Sequence, residues 1–199
     1  MKRVAVLASG RGSNLAALLR AQAVYSSYRV VLVVSNVEGS GALSLARDAS
    51  VEAACVPSRG VGREDHERAL LSLLASRTVE VICLAGYMRV LTPVLIGGFA
   101  GPILNIHPSL LPAFPGMHAQ KQALDAGVRW SGATVHFVDA GLDSGPILLQ
   151  EPVRVHPDDS EDTLSARILE TEHRLYPQAL DIAARGAYEI QGRTVRLLT

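Results

Sequence analysis

The first half of the chain alternates short, uninterrupted apolar runs with helix-forming segments. The apolar runs lie at residues 4–8, 29–35, 51–56 and 80–85. A strand that is buried on both faces of a parallel sheet has this continuous pattern, whereas a half-exposed strand alternates apolar and polar residues. Such runs, separated by helices, build βαβ units. The sequence therefore predicts an α/β, Rossmann-like fold with a mostly parallel, twisted sheet that is flanked by helices.

The pattern changes in the second half of the chain. Residues 133–138 and 146–155 are strand-like runs joined by a polar loop rather than a helix, which predicts an antiparallel pair at the C-terminal edge of the sheet. Residues 159–160 are expected to cap a long helix that Pro177 bends or interrupts. A short hairpin is expected to close the chain.

A glycine-rich turn, S-G-R-G-S-N at residues 9–14, lies between the first apolar run and a helix-prone segment. The N–H groups and the dipole at a helix start favour anions, so the turn is a candidate phosphate site. The simpler alternative is a tight turn in which Ser13 or Asn14 caps the helix. A dinucleotide site fits less well, because Leu15 occupies the third glycine position of G-x-G-x-x-G and the next run ends without an acidic residue.

A second group of polar residues follows the apolar run at residues 102–104. In an extended chain Asn105 and His107 share one face, because they are two residues apart. They stand at the end of a strand, where α/β folds place their ligands. Pro108 lacks the N–H that would continue the hydrogen bonds of a strand. The prolines and the glycine that follow favour an irregular loop. A carboxylate on the polar loop at residues 139–145 is expected to reach the imidazole.

An amide, an imidazole and a carboxylate together suit acyl-type transfer. The amide stabilises a developing oxyanion, the imidazole moves a proton near neutral pH, and the carboxylate orients the imidazole. Ser109 lies close to His107 in sequence, but it lacks the G-x-S-x-G turn of an activated nucleophile. Direct attack by an amine or by water therefore fits better than a covalent enzyme intermediate.

A metal site is the main alternative for the histidines. Three of them are grouped in sequence near the polar loop: His107, His118 and His136. They lack H-x-H and H-x-x-x-H spacing, so no metal is expected. The other three stand among polar residues and are expected at the surface or in supporting positions behind the site: His66, His156 and His173. Cys55 and Cys83 lie in apolar runs without a C-x-x-C motif, which predicts reduced, buried thiols.

The charge balance and the hydropathy of the sequence limit the classes of binding partner that are expected. Nineteen Lys and Arg residues balance nineteen Asp and Glu residues, so the chain has no overall attraction for nucleic acid or an anionic membrane. No apolar run is long enough to span a bilayer. The basic residues at the start precede a short apolar run without a cleavage pattern, so we expect no signal peptide and a cytoplasmic location.

Three motifs carry a resemblance to a known family: N-I-H-P-S-L-L-P-A-F-P-G from residue 105, T-V-H-F-V from residue 134 and L-D-S-G-P-I from residue 142. Together they resemble the glycinamide ribonucleotide transformylases, which are folate-dependent formyltransferases. The resemblance runs from the first strand to about Pro177 and implies the formyltransferase fold. It implies that 10-formyltetrahydrofolate, a co-substrate, donates its formyl group to the amine of N1-(5-phospho-D-ribosyl)glycinamide in de novo purine (IMP) biosynthesis. It also implies small-molecule substrates, no nucleic acid or membrane partner, and a monomer or homodimer.

The same resemblance assigns roles to individual residues. Catalysis falls to Asn105, His107 and Asp143. Ribonucleotide binding falls to Gly12, Ser13, Asn14 and Glu172. Folate binding falls to Arg63, Met88, Arg89, Val90, Leu91, Asn105, Asp139, Ala140, Gly141, Leu142 and Asp143, and supporting roles fall to His118 and His136. We expect a single domain over residues 1–199, in which about 1–100 form the phosphate-binding half and about 101–199 form the catalytic and folate-binding half.

Two other classes of function remain open. One is a different enzyme of 10-formyltetrahydrofolate, either a methionyl-tRNA formyltransferase or a formyltetrahydrofolate hydrolase. The tRNA enzymes usually have an arginine-rich sequel to S-L-L-P and a further RNA-binding domain, whereas this sequence continues with A-F-P-G-M and ends at residue 199. The hydrolases typically carry an N-terminal regulatory domain, whereas the first strand here begins at Val4. The other class is a non-catalytic nucleotide-binding module, which explains residues 10–14 but leaves Asn105, His107 and Asp143 without a purpose. Ala113 stands where many relatives have a basic residue, so no charged contact is expected there.

Overall fold

The computed structural model describes residues 1–198 and contains a seven-stranded sheet with helices packed on both faces. Its strands are β1 (Lys2–Leu7), β2 (Tyr28–Ser35), β3 (Glu52–Cys55), β4 (Val81–Leu84), β5 (Ile103–His107), β6 (Trp130–Phe137) and β7 (Ile147–Arg154). The helices are α1 (Ser13–Ala21), α2 (Gly41–Asp48), α3 (Arg63–Ser76), α4 (Pro93–Gly98), α5 (Ala119–Asp125) and α6 (Glu161–Arg185). A separate hairpin is formed by β8 (Tyr188–Gln191) and β9 (Thr194–Leu197).

The strands are arranged in the order β3-β2-β1-β4-β5-β6-β7. All pairs from β3 to β5 are parallel, and the β5–β6 and β6–β7 pairs are antiparallel. This arrangement confirms the predicted α/β, Rossmann-like sheet with an antiparallel C-terminal edge. The predicted closing hairpin is confirmed as well, and its Tyr188 ring lies 4.8 Å from the Phe137 ring, between centroids.

Both faces of the sheet are buried at its central strands, which explains the uninterrupted apolar runs of β1 and β4. Val4 and Val6 of β1 are fully buried in one core, together with residues of α1 and α6. Ala5 and Leu7 are fully buried in the other core, together with residues of α3 and α4. Because successive side chains of a strand point to opposite faces, a strand between two cores must be apolar at every position.

A crevice is expected at the carboxyl ends of β1 and β4, where the chain changes the direction in which it adds strands. The backbone N–H of Ala8 donates to Val34 O at 3.0 Å, and that of Ser9 donates to Gly86 O at 3.0 Å. The segment after β1 is therefore joined to the ends of both of its neighbouring strands. The loops that follow the strands meet at this edge of the sheet.

Both ends of helix α6 have residues that are typical of helix termini. Ser160 Oγ accepts from Thr163 N–H and Thr163 Oγ1 accepts from Ser160 N–H, which is a reciprocal capping box. The helix ends at Gly186, whose φ is 67°. The predicted interruption at Pro177 is wrong, because α6 continues through this buried proline. Proline removes one N–H donor, but burial of the neighbouring Tyr176 and Leu180 holds the turn in place.

The two cysteines differ in exposure. Cys83 is buried in β4 as predicted, whereas Cys55 is exposed, so the prediction for Cys55 is wrong. The reason is its place at the end of β3, which is an edge strand that the sheet covers on one side only. Across residues 1–198, no helix combines the length and the apolar character that crossing a membrane requires.

Candidate active site

The site is built around β5, which pairs with β4 on one side and with β6 on the other. In the antiparallel β5–β6 pair, Asn105 lies directly opposite His136. Side chains of directly opposed residues are close enough to interact. Asn105 Nδ2 and His136 Nε2 are 3.1 Å apart, so the register of the sheet brings the amide and this imidazole together.

Backbone contacts fix the protonation of His136. Its Nδ1 lies 2.9 Å from Phe137 O, and a carbonyl only accepts, so Nδ1 carries the proton. Burial lowers the pKa of the His136 imidazole, although the Phe137 carbonyl and Asp143 act in the opposite direction. In the neutral ring Nε2 is then an acceptor, and it receives one N–H of the Asn105 amide. This contact orients Asn105 and uses one of its two amide hydrogens.

His107 lies between a loop carbonyl and a carboxylate. Its Nε2 donates to Phe114 O at 2.8 Å, and its Nδ1 lies 3.4 Å from Asp143 Oδ2. The side chain is 6% exposed, and that of Asp143 is 12% exposed. Because Nε2 is held as a donor, a second proton on Nδ1 would face the Asp143 carboxylate.

Asp143 connects three parts of the site. Its Oδ2 accepts from Gly116 N–H at 2.8 Å, and its Oδ1 lies 3.8 Å from His136 Nε2. Its backbone has a φ of 49°, in the left-handed region that aspartate tolerates better than most residues. Asp139 folds the start of the same loop, since its Oδ1 accepts from Gly141 N–H and from Ser144 Oγ–H. The structure therefore places the carboxylate of Asp143 between two imidazoles.

The glycine-rich turn leads into α1. The residue before α1 is Gly12, with a φ of 86°, so the alternative in which Ser13 or Asn14 caps this helix is wrong. A Cβ at Gly12 would lie 3.0 Å from Ala42 Cα, so the turn packs closely against the start of α2. The N–H groups in the first turn of a helix have no acceptor within that helix. The turn therefore keeps donors available for an anion.

Asn14 and Glu172 meet, although they are 158 residues apart in the chain. Asn14 Nδ2 donates to Glu172 Oε2 at 2.7 Å, and the two residues are 8% and 7% exposed. Burial raises the pKa of the Glu172 carboxyl to about 6, and the hydrogen bond from Asn14 offsets part of that rise. Among residues 1–198, Asn14 Oδ1 has no hydrogen-bond partner. A buried carboxylate and a free amide oxygen thus lie together beside the turn.

Replacing Glu172 with glutamine is expected to stabilise the protein above pH 6. The raised pKa of Glu172 means that the unfolded chain ionises first, so the wild-type fold loses stability between about pH 4.3 and its folded pKa. Glutamine carries no charge and still accepts from Asn14. We expect a gain of roughly 2 kcal/mol in the free energy of unfolding at pH 8, and none at pH 4. Denaturant titrations at both pH values measure the difference.

Glu170 provides the matched control for this change. It is an exposed glutamate on the same helix. Glu170→Gln is expected to leave the free energy of unfolding almost unchanged at both pH values. Equal effects of the two substitutions would mean that Glu172 carries no penalty for ionisation in the folded protein.

Most of the residues assigned to folate lie in two loop segments, residues 88–91 and 139–143. Met88, Val90 and Leu142 are 72%, 51% and 58% exposed, which is unusual for large apolar side chains, whereas Leu91 is buried. Arg89 Nη1 donates to Ser58 O at 3.1 Å. Ala140 and Gly141 are exposed at the tip of the Asp139 turn, and Arg63 is exposed at the first position of α3. Their roles in folate binding stay predictions.

The histidines outside β5 and β6 fall in different places. His66 is 2% exposed and its Nε2 lies 2.6 Å from the Tyr87 hydroxyl, so its predicted surface position is wrong. It is buried because it lies on the inward face of α3. His118 has a 68% exposed side chain 3.9 Å from Glu161, and its supporting role stays a prediction. Sequence reasoning missed the Phe114 carbonyl and the Gly116 N–H as partners, because their positions depend on the path of an irregular loop.

Comparisons with family models, known sequences and solved structures all match formyltransferases over most of the chain. A family model described as formyl transferase matches residues 2–180. The phosphoribosylglycinamide formyltransferase of Escherichia coli (strain K12) is 40% identical over 187 residues, covering 92% of this chain and 87% of that protein. The crystal structure of glycinamide ribonucleotide transformylase 1 from Symbiobacterium toebii has a TM-score of 0.97 and 45% identity, covering 100% of this chain and 95% of that one.

A longer protein is similar as well. The trifunctional purine biosynthetic protein adenosine-3 of Drosophila melanogaster is 46% identical over 191 residues, covering 93% of this chain. The chain spans 14% of the length of that protein, and 19% of the length of its counterpart in Gallus gallus. The similarity therefore concerns one segment of these trifunctional proteins.

Proposed function

The chain belongs to the formyl transferase family, and from this premise we propose that it formylates glycinamide ribonucleotide. It transfers the formyl group of 10-formyltetrahydrofolate to the amine of N1-(5-phospho-D-ribosyl)glycinamide, in de novo purine (IMP) biosynthesis. The observation that carries this proposal is the cluster of Asn105, His136, Asp143 and His107, in which each side chain contacts the next within 3.8 Å. It lies at the end of β5, close in sequence to the segments assigned to folate.

The first step is attack of the substrate amine on the formyl carbon. The carbonyl oxygen becomes an oxyanion, and the second N–H of the Asn105 amide donates to it. Because His136 holds the other amide hydrogen, this donor is oriented before the substrates arrive. Preorganised donors act most strongly where charge develops in the transition state.

The second step moves a proton. The attacking amine loses one, and the departing folate nitrogen gains one. His107 and Asp143 act as a unit in this step, because Nδ1 and Oδ2 are 3.4 Å apart and little exposed to water. The contact of His107 Nε2 with Phe114 O keeps the ring from turning. Attack, oxyanion stabilisation and proton return therefore need no covalent enzyme intermediate.

The ribonucleotide binds along the glycine-rich turn. Its phosphate takes the free N–H groups at the start of α1. Asn14 and Glu172 lie beside that turn, and the ionised Glu172 carboxylate meets the amine end of the substrate. The apolar side chains of residues 88–91 and Leu142 form the walls for the pterin of the folate.

Gly12→Ala is expected to weaken ribonucleotide binding by about tenfold or more. The new Cβ lies 3.0 Å from Ala42 Cα, and the alanine must adopt a φ of 86°. A left-handed backbone costs a residue with a side chain roughly 1–2 kcal/mol. The turn relieves this strain by moving away from its phosphate-binding position. Folate affinity is expected to stay within about twofold, which titration calorimetry of each ligand measures.

Gly10→Ala makes the same chemical change in the same turn. A Cβ at Gly10 meets no atom within 4 Å. We therefore expect Gly10→Ala to change ribonucleotide affinity much less than Gly12→Ala. Equal losses from both substitutions, or equal losses of both ligands with the fold intact, would argue against a dedicated phosphate site.

A second candidate function is transfer to another acceptor. The exposed side chains of Met88 and Val90 also suit other enzymes of 10-formyltetrahydrofolate, including methionyl-tRNA formyltransferases and formyltetrahydrofolate hydrolases. The sequence A-F-P-G-M at residues 113–117 has no arginine, which favours the small ribonucleotide. An assay with 10-formyltetrahydrofolate and each acceptor in turn tests the proposal. The ribonucleotide is expected to be formylated far faster than methionyl-tRNA, and faster than formate is released. Preference for either alternative would reject it.

A further inference from the structure

Ser9 joins loops on the two sides of β1. It follows β1 and is the first residue of the glycine-rich turn. Its Oγ–H donates to Asn36 Oδ1 at 2.5 Å, and the same oxygen accepts from Met88 N–H at 2.9 Å. Asn36 follows β2, and Met88 lies in the loop after β4. One hydroxyl therefore bridges the loops that follow the two neighbours of β1.

These contacts close into a ring. Asn36 Nδ2 donates to Ser58 Oγ at 3.0 Å, and Arg89 Nη1 donates to Ser58 O at 3.1 Å. Arg89 follows Met88, which returns the path to Ser9. We call the five residues the loop ring: Ser9, Asn36, Ser58, Met88 and Arg89. The loop ring connects the segments that follow all four parallel strands from β3 to β4.

Residues 88–90 depend on such contacts for their order. They lie between two buried side chains, Tyr87 and Leu91. Within that span, the Met88 and Val90 side chains are 72% and 51% exposed, so packing does little to hold them. A segment with few buried contacts is ordered mainly by its hydrogen bonds. The Met88 N–H donates to Ser9 Oγ, so the Ser9 hydroxyl directly restrains the backbone of this segment.

We propose that Ser9 is a positioning residue that couples the ribonucleotide site to the folate site. This inference rests on the proposed function. A phosphate on the glycine-rich turn immobilises the backbone next to Ser9, and the Ser9 hydroxyl then holds Met88 N–H in its binding position. Folate meets a segment that is already ordered, so it binds more tightly. Coupling of this kind is reciprocal, so bound folate tightens ribonucleotide binding by the same factor.

Hydrogen exchange of the unliganded protein provides the first test, with inorganic phosphate as the probe. In the wild type, phosphate is expected to slow exchange in residues 10–14 and also in residues 88–91. In Ser9→Ala it should slow exchange in residues 10–14 alone. Ser9→Thr keeps the hydroxyl and should restore the response of residues 88–91. The exposed Ser72 of α3 supplies the control, since Ser72→Ala should behave as the wild type.

Ligand titration provides the second test. The dissociation constant of glycinamide ribonucleotide is measured with and without a saturating folate analogue that has no formyl group. We expect folate to tighten the ribonucleotide by about fivefold or more in the wild type, which is the usual lower range of coupling. In Ser9→Ala this ratio should fall close to one, while each ligand alone keeps an affinity within about threefold of the wild type.

The outcomes separate this inference from the proposed function. An unchanged ratio in Ser9→Ala, or a wild-type ratio of one, would overturn the coupling role. Failure of the wild type to bind ribonucleotide or folate would overturn the proposed function, while the phosphate experiment still reports on the contact between Ser9 and Met88. If Ser9→Ala does not fold, Ser9→Cys keeps the shape of the side chain and replaces the hydroxyl with a thiol, which is only a weak acceptor for Met88 N–H. Coupling that survives Ser9→Cys intact would likewise overturn the inference.

Discussion

Asn105→Ala lowers kcat by about 10²–10³-fold if the amide is the donor to the oxyanion. The substitution removes the one side chain that the sheet register places opposite His136, without disturbing the buried residues on either side. Ribonucleotide binding is expected to change little, and folate affinity is expected to fall much less than kcat, because the oxyanion exists only during the reaction. Steady-state and single-turnover kinetics separate the two effects, since a loss made only in the transition state lowers kcat and kcat/KM together.

Asn105→Asp is the sharper comparison. The two side chains have the same shape, but a carboxylate repels an oxyanion and has no N–H to give to His136 Nε2. Its activity should therefore be no higher than that of Asn105→Ala. An Asn105→Ala enzyme with unchanged kcat would remove the oxyanion role from Asn105, and an active Asn105→Asp enzyme would contradict it directly.

The second large effect concerns His107 and Asp143 as a pair. Asp143→Asn should lower kcat by about 10²-fold, at the lower end of what a positioned proton donor contributes. Asparagine tolerates the left-handed φ of 49° at this position, and its carbonyl still accepts from Gly116 N–H, so the substitution removes charge rather than loop structure. If the two residues act together, the double variant His107→Ala, Asp143→Asn should be little slower than His107→Ala alone.

Asp139→Asn is the matched control for this pair. Asp139 lies in the same loop and contacts Gly141 and Ser144, but neither imidazole. It should lower kcat much less than Asp143→Asn. Asp143 would only shape the loop if the decreases in kcat from His107→Ala and Asp143→Asn were fully additive in the double variant. An equal decrease in kcat from Asp139→Asn would mean the same. Measuring kcat for the wild type and the four variants distinguishes these cases.

Much of the fold was predictable because it depends on local patterns. Continuous apolar runs predicted the strands buried on both faces, and the change to adjacent runs predicted the antiparallel edge. The interruption predicted at Pro177 was wrong because burial of the surrounding turn outweighs one missing donor. Cys55 and His66 were misplaced for a related reason. Their exposure depends on which strand is at the edge and which helix face turns inward, and neither depends on the neighbouring residues alone.

The candidate site, like the fold, was predictable from the sequence only in part. The spacing of Asn105 and His107, and the loop that carries Asp143, could be read from the sequence together with the family motif. The partner of Asn105 could not, because His136 reaches it through a strand register that joins residues 31 positions apart. The contact between Asn14 and Glu172 also depends on how α6 packs beside α1. Motifs therefore predicted the candidate reacting groups, and the tertiary structure supplied the contacts that orient these side chains.

The fate of a radiolabelled formyl group tests direct transfer to the ribonucleotide amine. The protein is mixed with 10-formyltetrahydrofolate labelled in the formyl group, quenched on the timescale of one turnover, and separated into protein, ribonucleotide and formate fractions. With glycinamide ribonucleotide present, the label is expected to pass from folate to the ribonucleotide, with none bound to protein at any time. Without it, the label should stay on the folate. Label recovered on the protein, or formate released as fast as the ribonucleotide is formylated, would contradict direct transfer within this site.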